Sequence, residues 1–459
     1  MTIFSNSFII NNMEKKQFNR RQFLRTLGLG TAMVALNPLE ALAQDDKPKI
    51  TALTDNKMTY RVQNGTGERV SLLGFGMMRL PNDNQELVNQ LVDYALAHGV
   101  NYFDTAPIYT RGLNEGIVGA ALSRHPRDSY YVATKMSNYR EQYWPLEESK
   151  KMYYNSFEQL RVDYIDYYLL HGVGGKGMED FRPRFLDNGM LDFLLEERKA
   201  GRIRHLGFSY HGNVEVFDWL IEHNDKYHWD FVQIQMNFLD WRHASLGKEK
   251  RTDADAEYLY NQLAKNDIQA VIMEPFRGGA LGKMSEGHID RLKELRPDDT
   301  IARWAFRWVG SKPGVLTVLS GMNQMEHMVE NCETYSPLER CTEAENDLLE
   351  KIADDISGIP IIPCTTCAYC MPCPYGVDIP GNFTVYNEAM QAKTLPLPPK
   401  GDPDYDTRHE AFVKAYYAAV PAEKRANQCV DCEHCLPLCP QQIRIPIQMG
   451  RINQILRKR

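Results

Sequence analysis

The stretch Tyr102-Phe103-Asp104-Thr105-Ala106-Pro107-Ile108-Tyr109 decides the fold. The apolar run Val100 to Phe103 reads as a buried strand. It ends in a carboxylate, and five residues later a tyrosine follows in a loop. Two more strands end the same way. Tyr130-Tyr131-Val132-Ala133-Thr134 stops at Lys135, and Ile165-Asp166-Tyr167-Tyr168-Leu169-Leu170 stops at His171. Asp, Tyr, Lys and His therefore stand just past the carboxyl ends of successive strands. In a barrel of parallel strands those ends converge on one face, where the chemistry is done.

Working outward, strand-like and helix-like segments alternate. Strands are expected at Leu72–Gly76, Val100–Asp104, Ser129–Lys135, Ile165–His171, His205–Ser209, Phe231–Met236, Ile268–Glu274 and Val315–Ser320. Helical periodicity fills the gaps, as at Gln85–His98, Glu147–Arg161, Leu186–Ala200 and Asp299–Val309. Eight such units predict an α/β chain with a (β/α)8 TIM barrel. The rival is a doubly wound open sheet. Gly74-Phe75-Gly76-Met77 argues against it, because it lacks the G-x-G-x-x-G that opens a helix. A hairpin around Asn64-Gly65-Thr66-Gly67 precedes the barrel. Longer loops at Gly172–Pro183, Asp240–Thr252 and Phe276–Pro297 are expected to wall a substrate pocket.

The chain has 459 residues, a length that suits two or three domains, and 43% are hydrophobic. Its net charge of -7 carries no basic stripe, which argues against a nucleic-acid partner. Residues 1–43 read as an export signal. Asn19-Arg20-Arg21-Gln22-Phe23-Leu24-Arg25 resembles a twin-arginine motif, and Ala41-Leu42-Ala43 offers a cleavage site. The expected location is periplasmic or otherwise extracytoplasmic, with no transmembrane segment in the mature chain. The barrel is expected over 58–335 and a linker over 336–363, with a small ferredoxin-like domain over 364–459.

That last expectation rests on cysteines. Eight of the ten lie after residue 360, in two runs. The first is Cys364-x2-Cys367-x2-Cys370-x2-Cys373-Pro374. The second is Cys429-x2-Cys432-x2-Cys435-x3-Cys439-Pro440. The second spacing is that of bacterial ferredoxins holding [4Fe–4S] clusters, where the fourth cysteine reaches across to the other cluster. Structural zinc sites instead pair two ligands and space widely before the next pair. The first run is one residue shorter at its last gap. If it also crosses, one cluster takes Cys364, Cys367, Cys370 and Cys439, and the other Cys429, Cys432, Cys435 and Cys373. Between the runs, Asn382–Lys393 and Arg408–Ala419 read as a helical insertion.

A lone tyrosine or histidine after a strand is more often packing than chemistry, but the set is chemically complementary. A tyrosine is a poor acid at pH 7. The Lys135 ammonium is expected to favour the Tyr109 phenolate, with Asp104 holding the lysine in place. His171 can orient a carbonyl oxygen. Together they suit protonation of an oxyanion as hydride arrives at carbon.

With these residues in place, positions 58–335 resemble the aldo-keto reductases. Asp104-x4-Tyr109, Lys135 and His171 fall where that family keeps its Asp-Tyr-Lys-His tetrad. The resemblance implies Tyr109 as general acid and a nicotinamide cofactor acting on an aldehyde, ketone or alcohol. It further implies Ser209 and Gln233 at the carboxamide, and Glu330 and Asn331 at adenine. Tyr210 and Met273 depart from the common asparagine and stacking tyrosine. Gly321 and His327 stand where NADP-preferring members often carry Lys and Arg, so NAD stays open beside NADP. The whole chain resembles a branch of the family carrying a C-terminal iron–sulfur domain.

The expected function is thus an oxidoreductase coupled to electron relay through two clusters, with a possible redox partner protein. Hydride carries two electrons and a [4Fe–4S] cluster moves one, and no flavin site bridges them in the sequence. Two alternatives stay open: clusters that only staple the tail, and a nucleotide-binding sensor or electron-transfer subunit with little turnover.

Overall fold

The eight apolar runs form eight strands because each can bury both faces, one inside a barrel and one under a helix. A computed structural model of the chain describes residues 57–245, 254–358, 361–396 and 403–457. The export signal read at 1–43 lies outside the described residues. Strands β3 (Leu73–Gly76), β4 (Tyr102–Asp104), β5 (Tyr131–Met136), β6 (Ile165–Val173), β7 (Ile203–Tyr210), β8 (Phe231–Gln235), β9 (Gln269–Met273) and β10 (Val315–Ser320) pair in parallel and close into a barrel. The barrel interior is filled by Val70, Tyr102, Tyr131, Ala133, Tyr167, Leu169, Phe231, Val271, Leu316 and Leu319. It is a packed core and no pore.

The hairpin of β1 (Tyr60–Val62) and β2 (Arg69–Ser71) forms where the Asn64–Gly67 turn predicts it. It carries Val70 into the barrel core. Gln63 Nε2 donates to the Asp230 carbonyl at 3.0 Å. Glu68 meets the buried His205. Burial alone would lower the His205 pKa, but hydrogen bonds to Asp230 and Glu68 outweigh it and raise it to about 9.

Three expectations need correction. The helix read over Leu186–Ala200 begins at Met190. Gly189 sits in the left-handed region (φ +76°), after a wide turn over Arg182–Leu186. The stretch Phe276–Pro297 is no open loop, since Glu286–Leu295 is a helix. The linker interval 336–363 contains the helix Glu343–Ser357, opened by a reciprocal Thr342–Glu345 capping box. Its Leu349, Ile352, Ala353 and Ile356 join the core shared with the barrel.

The C-terminal module has its own core of Val377, Phe383, Tyr386, Phe412, Tyr416, Ile445, Met449 and Ile452. Helices Ile379–Gln391, Tyr405–Ala419 and Ile445–Leu456 supply it. The first starts earlier than its periodicity suggests, because Asp378 Oδ1 accepts from Gly381 N at 3.1 Å and caps it. The insertion of two helices between the cysteine runs is therefore as expected. Among the described residues no helix is long and apolar enough to cross a membrane.

Candidate active site and cluster loops

Strand register brings the tetrad together. Asp104 pairs with Ala133, and Lys135 with Leu169, so the ends of β4, β5 and β6 lie side by side. Lys135 Nζ donates to Asp104 Oδ1 at 2.5 Å and to the Thr105 carbonyl at 2.7 Å. Both charged side chains are buried. Burial pushes the Asp104 carboxyl up and the Lys135 ammonium down, and each partner opposes the other's shift. The Lys135 nitrogen stands 5.1 Å from the centre of the Tyr109 ring, and the ring of His171 meets Tyr109 edge-on at 5.7 Å. His171 Nδ1 lies 2.6 Å from Ser137 Oγ. Burial, with Lys135, His211 and Arg184 nearby, holds the imidazole well below its usual pKa. A neutral ring whose Nδ1 accepts from Ser137 would present Nε2–H to a ligand oxygen.

Burial, followed by Asp104 and Tyr139, pushes the Tyr109 phenol well above its usual pKa. The ring of Tyr369, on the first cysteine loop, lies 6.4 Å from that of Tyr109. Tyr369 was not singled out from the sequence, and neither were three other residues. Ser137 was legible, since it stands two residues after Lys135 and strand alternation puts both on one face. Arg184, in the wide turn after β6, is fully buried and donates to the His171 carbonyl at 2.6 Å. Tyr139 packs against His171 at 5.1 Å between ring centres. A Cβ at Gly172, which has φ +59°, would fall 2.1 Å from the Tyr139 hydroxyl oxygen, so that position requires glycine.

Glu115 is a further buried acid behind the lysine. It accepts from Thr134 Oγ1 at 2.6 Å, and burial raises its pKa to about 7. Because the folded value lies above the unfolded one, the fold binds an extra proton between them, and stability falls as pH rises through that window. The loss should reach about 3 kcal/mol by pH 8. Glu115→Gln should flatten this part of the stability profile. Denaturant melts at pH 5 and pH 8 check it, and an unchanged pH slope in the variant would refute the assignment.

Of the expected cofactor residues, Ser209 and Gln233 are neighbours across β7 and β8. Ser209 Oγ accepts from Gly172 N at 2.8 Å. Gln233 Oε1 is buried without a hydrogen-bond partner among the described residues. Such an acceptor fits an amide N–H of a nicotinamide carboxamide. Glu330 and Asn331 stand apart from that pair, on the helix Met325–Thr334 after β10. Asn331 Nδ2 donates to Ser320 Oγ at 2.9 Å, and Glu330 meets the Thr300 hydroxyl.

The module covers this face. Arg79 Nη2 donates to the Thr365 carbonyl at 2.9 Å, and Gln441 Nε2 to Gln235 Oε1 at 2.9 Å. Gln235 in turn donates to Asp240, whose Oδ1 lies 3.4 Å from Arg277 Nε. At Gly278 (φ +63°) a Cβ would fall 2.0 Å from the Thr365 carbonyl oxygen, so the two backbones meet where only glycine fits. Beside this contact lies a cleft of about 160 Å³, lined by Arg277, Gly279, Lys283, Thr366, Asn387 and Gln391 among others.

The two cysteine runs adopt the same backbone. Thr366 and Ala368 have positive φ (54° and 61°), and so do Asp431 and Glu433 (59° and 58°). These are the second and fourth residues after the first cysteine of each run. The equivalence argues that both runs hold the same kind of group. The cysteines also sort by which thiolates repel which. Cys370 faces Cys367, Cys439 and Cys364, and Cys435 faces Cys429, Cys432 and Cys373. Cys370 also senses Cys435 more weakly, so the two sets are neighbours. Cys439 therefore lies near the first run's cysteines, and Cys373 near the second's. Backbone N–H groups of Thr366 and Tyr369 point at Cys364 and Cys367. Thiolates so arranged, with amides turned toward sulfur, fit iron–sulfur cubanes.

Sequence comparison agrees with this architecture. Residues 72–354 match the aldo/keto reductase family, and residues 363–443 match the 4Fe-4S dicluster domain. The chain belongs to the aldo/keto reductase family. It is 25% identical over 302 residues to the uncharacterized oxidoreductase YqkF of Bacillus subtilis, covering 61% of this chain and 92% of that one. It is 25% identical over 327 residues to the NADH-specific methylglyoxal reductase of Escherichia coli, covering 62% and 95%. Among solved structures, the holo form of the aldo-keto reductase AKR11C1 from Bacillus halodurans superposes with a TM-score of 0.51 at 26% identity, covering 64% of this chain and 96% of that one.

Proposed function

We propose that the barrel interconverts a small carbonyl compound and its alcohol with a nicotinamide cofactor, using Tyr109 as the acid or base. The observation that carries this reading is the convergence of Tyr109, the buried Asp104–Lys135 pair and His171 at one barrel mouth. Ser209 and Gln233 would hold the carboxamide. When bound, the nicotinamide supplies a hydride to carbon, or accepts one in the reverse direction. The chain's own part is the proton. Tyr109 O–H gives its proton to the carbonyl oxygen, and His171 Nε2–H can hold the same oxygen. Lys135, kept by Asp104, gives the emptied phenol a cation nearby.

The NADH-specific relative supports NADH as the carrier, in line with Gly321 and His327 in place of permanent cations. The module would hold two [4Fe–4S] clusters, Cys364, Cys367, Cys370 and Cys439 for one and Cys429, Cys432, Cys435 and Cys373 for the other. These groups supply one-electron transfer when bound. A cysteine loop that touches Tyr109 favours clusters coupled to the barrel over clusters that only staple the tail. Export through the twin-arginine route and a separate redox partner protein complete the proposal. The test is oxidation of NADH or NADPH by protein prepared without oxygen, with methylglyoxal as the probe carbonyl. Steady turnover is expected, and failure to bind either nucleotide would sink the reading.

A further inference from the structure

Taking the hydride chemistry above as its basis, we propose that Arg184 is a positioning residue for that reaction, holding the strand bulge from which His171 reaches the barrel mouth. Leu170 pairs with Phe208 and Val173 with Tyr210, so β6 spends two residues, His171 and Gly172, opposite the single Ser209. A bulge leaves its extra residue unpaired in the ladder and re-aims the side chain beside it. Here side chains take over the pairing. Ser209 Oγ accepts from Gly172 N at 2.8 Å. Arg184 Nη2 donates to the His171 carbonyl at 2.6 Å, and Nη1 to the Gly172 carbonyl at 3.4 Å. The guanidinium fork thus fastens two consecutive carbonyls where His171 projects.

A buried guanidinium is costly unless its donors are met. Each nitrogen of Arg184 has a partner, since Nε donates to Asn138 Oδ1 at 3.2 Å and Nη1 also to Asp180 Oδ2 at 3.1 Å. Asn138 Nδ2 returns a bond to the Arg184 carbonyl at 3.0 Å. The guanidinium lies 4.7 Å from the centres of the Tyr139 and Phe185 rings, and Tyr139 in turn packs on His171. Arg184 therefore bears on His171 twice, through its carbonyl and through Tyr139. Arg182, in the same turn, is exposed and pairs with Asp187 at 2.9 Å. Ser137 Oγ meets the imidazole at Nδ1. Backbone and ring of His171 are thus fixed by separate groups, and Nε2 is left to the ligand oxygen.

Arg184→Lys in the full iron-loaded chain is the test. It keeps the charge and removes the planar fork that reaches two carbonyls. We expect kcat with methylglyoxal to fall about tenfold, the worth of one hydrogen bond that strengthens as charge develops on the carbonyl oxygen, with KM little changed. Nitrogen-15 NMR of labelled histidine, with His171 assigned by loss of its signals in His171→Gln, gives a reading that needs neither nucleotide nor turnover. The His171 ring signals should move in Arg184→Lys, while circular dichroism and cluster absorption stay those of wild type. Asn138→Ala keeps the guanidinium and frees only its Nε, so it is the milder variant should the lysine chain not fold, and the same signals should move by less. Wild-type kcat in Arg184→Lys, or unmoved His171 signals in whichever variant folds, would overturn the inference. Moved signals in a protein that turns over no carbonyl would uphold the positioning role and fail the hydride reading alone.

Discussion

Tyr109→Phe is expected to lower carbonyl turnover by about 100-fold or more, the usual contribution of a positioned general acid. At 100-fold this is about 2.7 kcal/mol of barrel-specific transition-state stabilisation. Tyr109 is buried with a single exchangeable proton, beside His171 and above the Asp104–Lys135 pair. Phenylalanine keeps the ring contacts to His171 and Tyr369 and deletes the proton. The fold, the cluster spectra and nucleotide binding should therefore survive, and the loss should appear in kcat rather than KM. Steady-state kinetics under anaerobic conditions decide it. Activity within a few-fold of wild type would remove Tyr109 from the mechanism.

The second large effect concerns the crossed ligand sets. Cys367→Ala with Cys439→Ala removes two ligands that the proposed crossed sets assign to one cluster, although the residues lie in different runs. Iron should fall from about eight to about four atoms per chain. In the proposed sets, Cys432→Ala with Cys439→Ala removes one ligand from each cluster, although both residues lie in the second run. Both clusters should then be lost or strongly destabilised. Iron analysis with resonance spectra of the remaining cluster checks this. The reverse order, with the second pair retaining about four irons, would show that each run ligates its own cluster.

The barrel was legible because its strands are short apolar runs bounded by polar stops and separated by stretches of helical periodicity. The tetrad was legible for the same reason, since strand ends fix where Asp104, Lys135 and His171 fall. What escaped was of two kinds. The helix Glu343–Ser357 carried its own signals: a Thr342–Glu345 capping box, and apolar positions at 349, 352, 353 and 356. They were overshadowed by the change in composition ahead of the cysteines. The break before Met190 likewise hung on one glycine. Tyr369, Gln441 and Arg79 are different. Their partners lie far along the chain and in the other domain, so no local pattern marks them. The rise in the Tyr109 pKa was not legible, because its first cause is burial of the phenol, which no local pattern around Tyr109 shows.

The most direct test of the account is the content of protein purified without oxygen: iron per chain, and nicotinamide nucleotide retained or bound on addition. The account predicts about eight irons together with one NAD(H) or NADP(H) bound per chain. The same iron content, with no nucleotide retained and none bound at saturating concentration, would contradict it. That result would leave the barrel without a hydride source and favour an electron-transfer subunit.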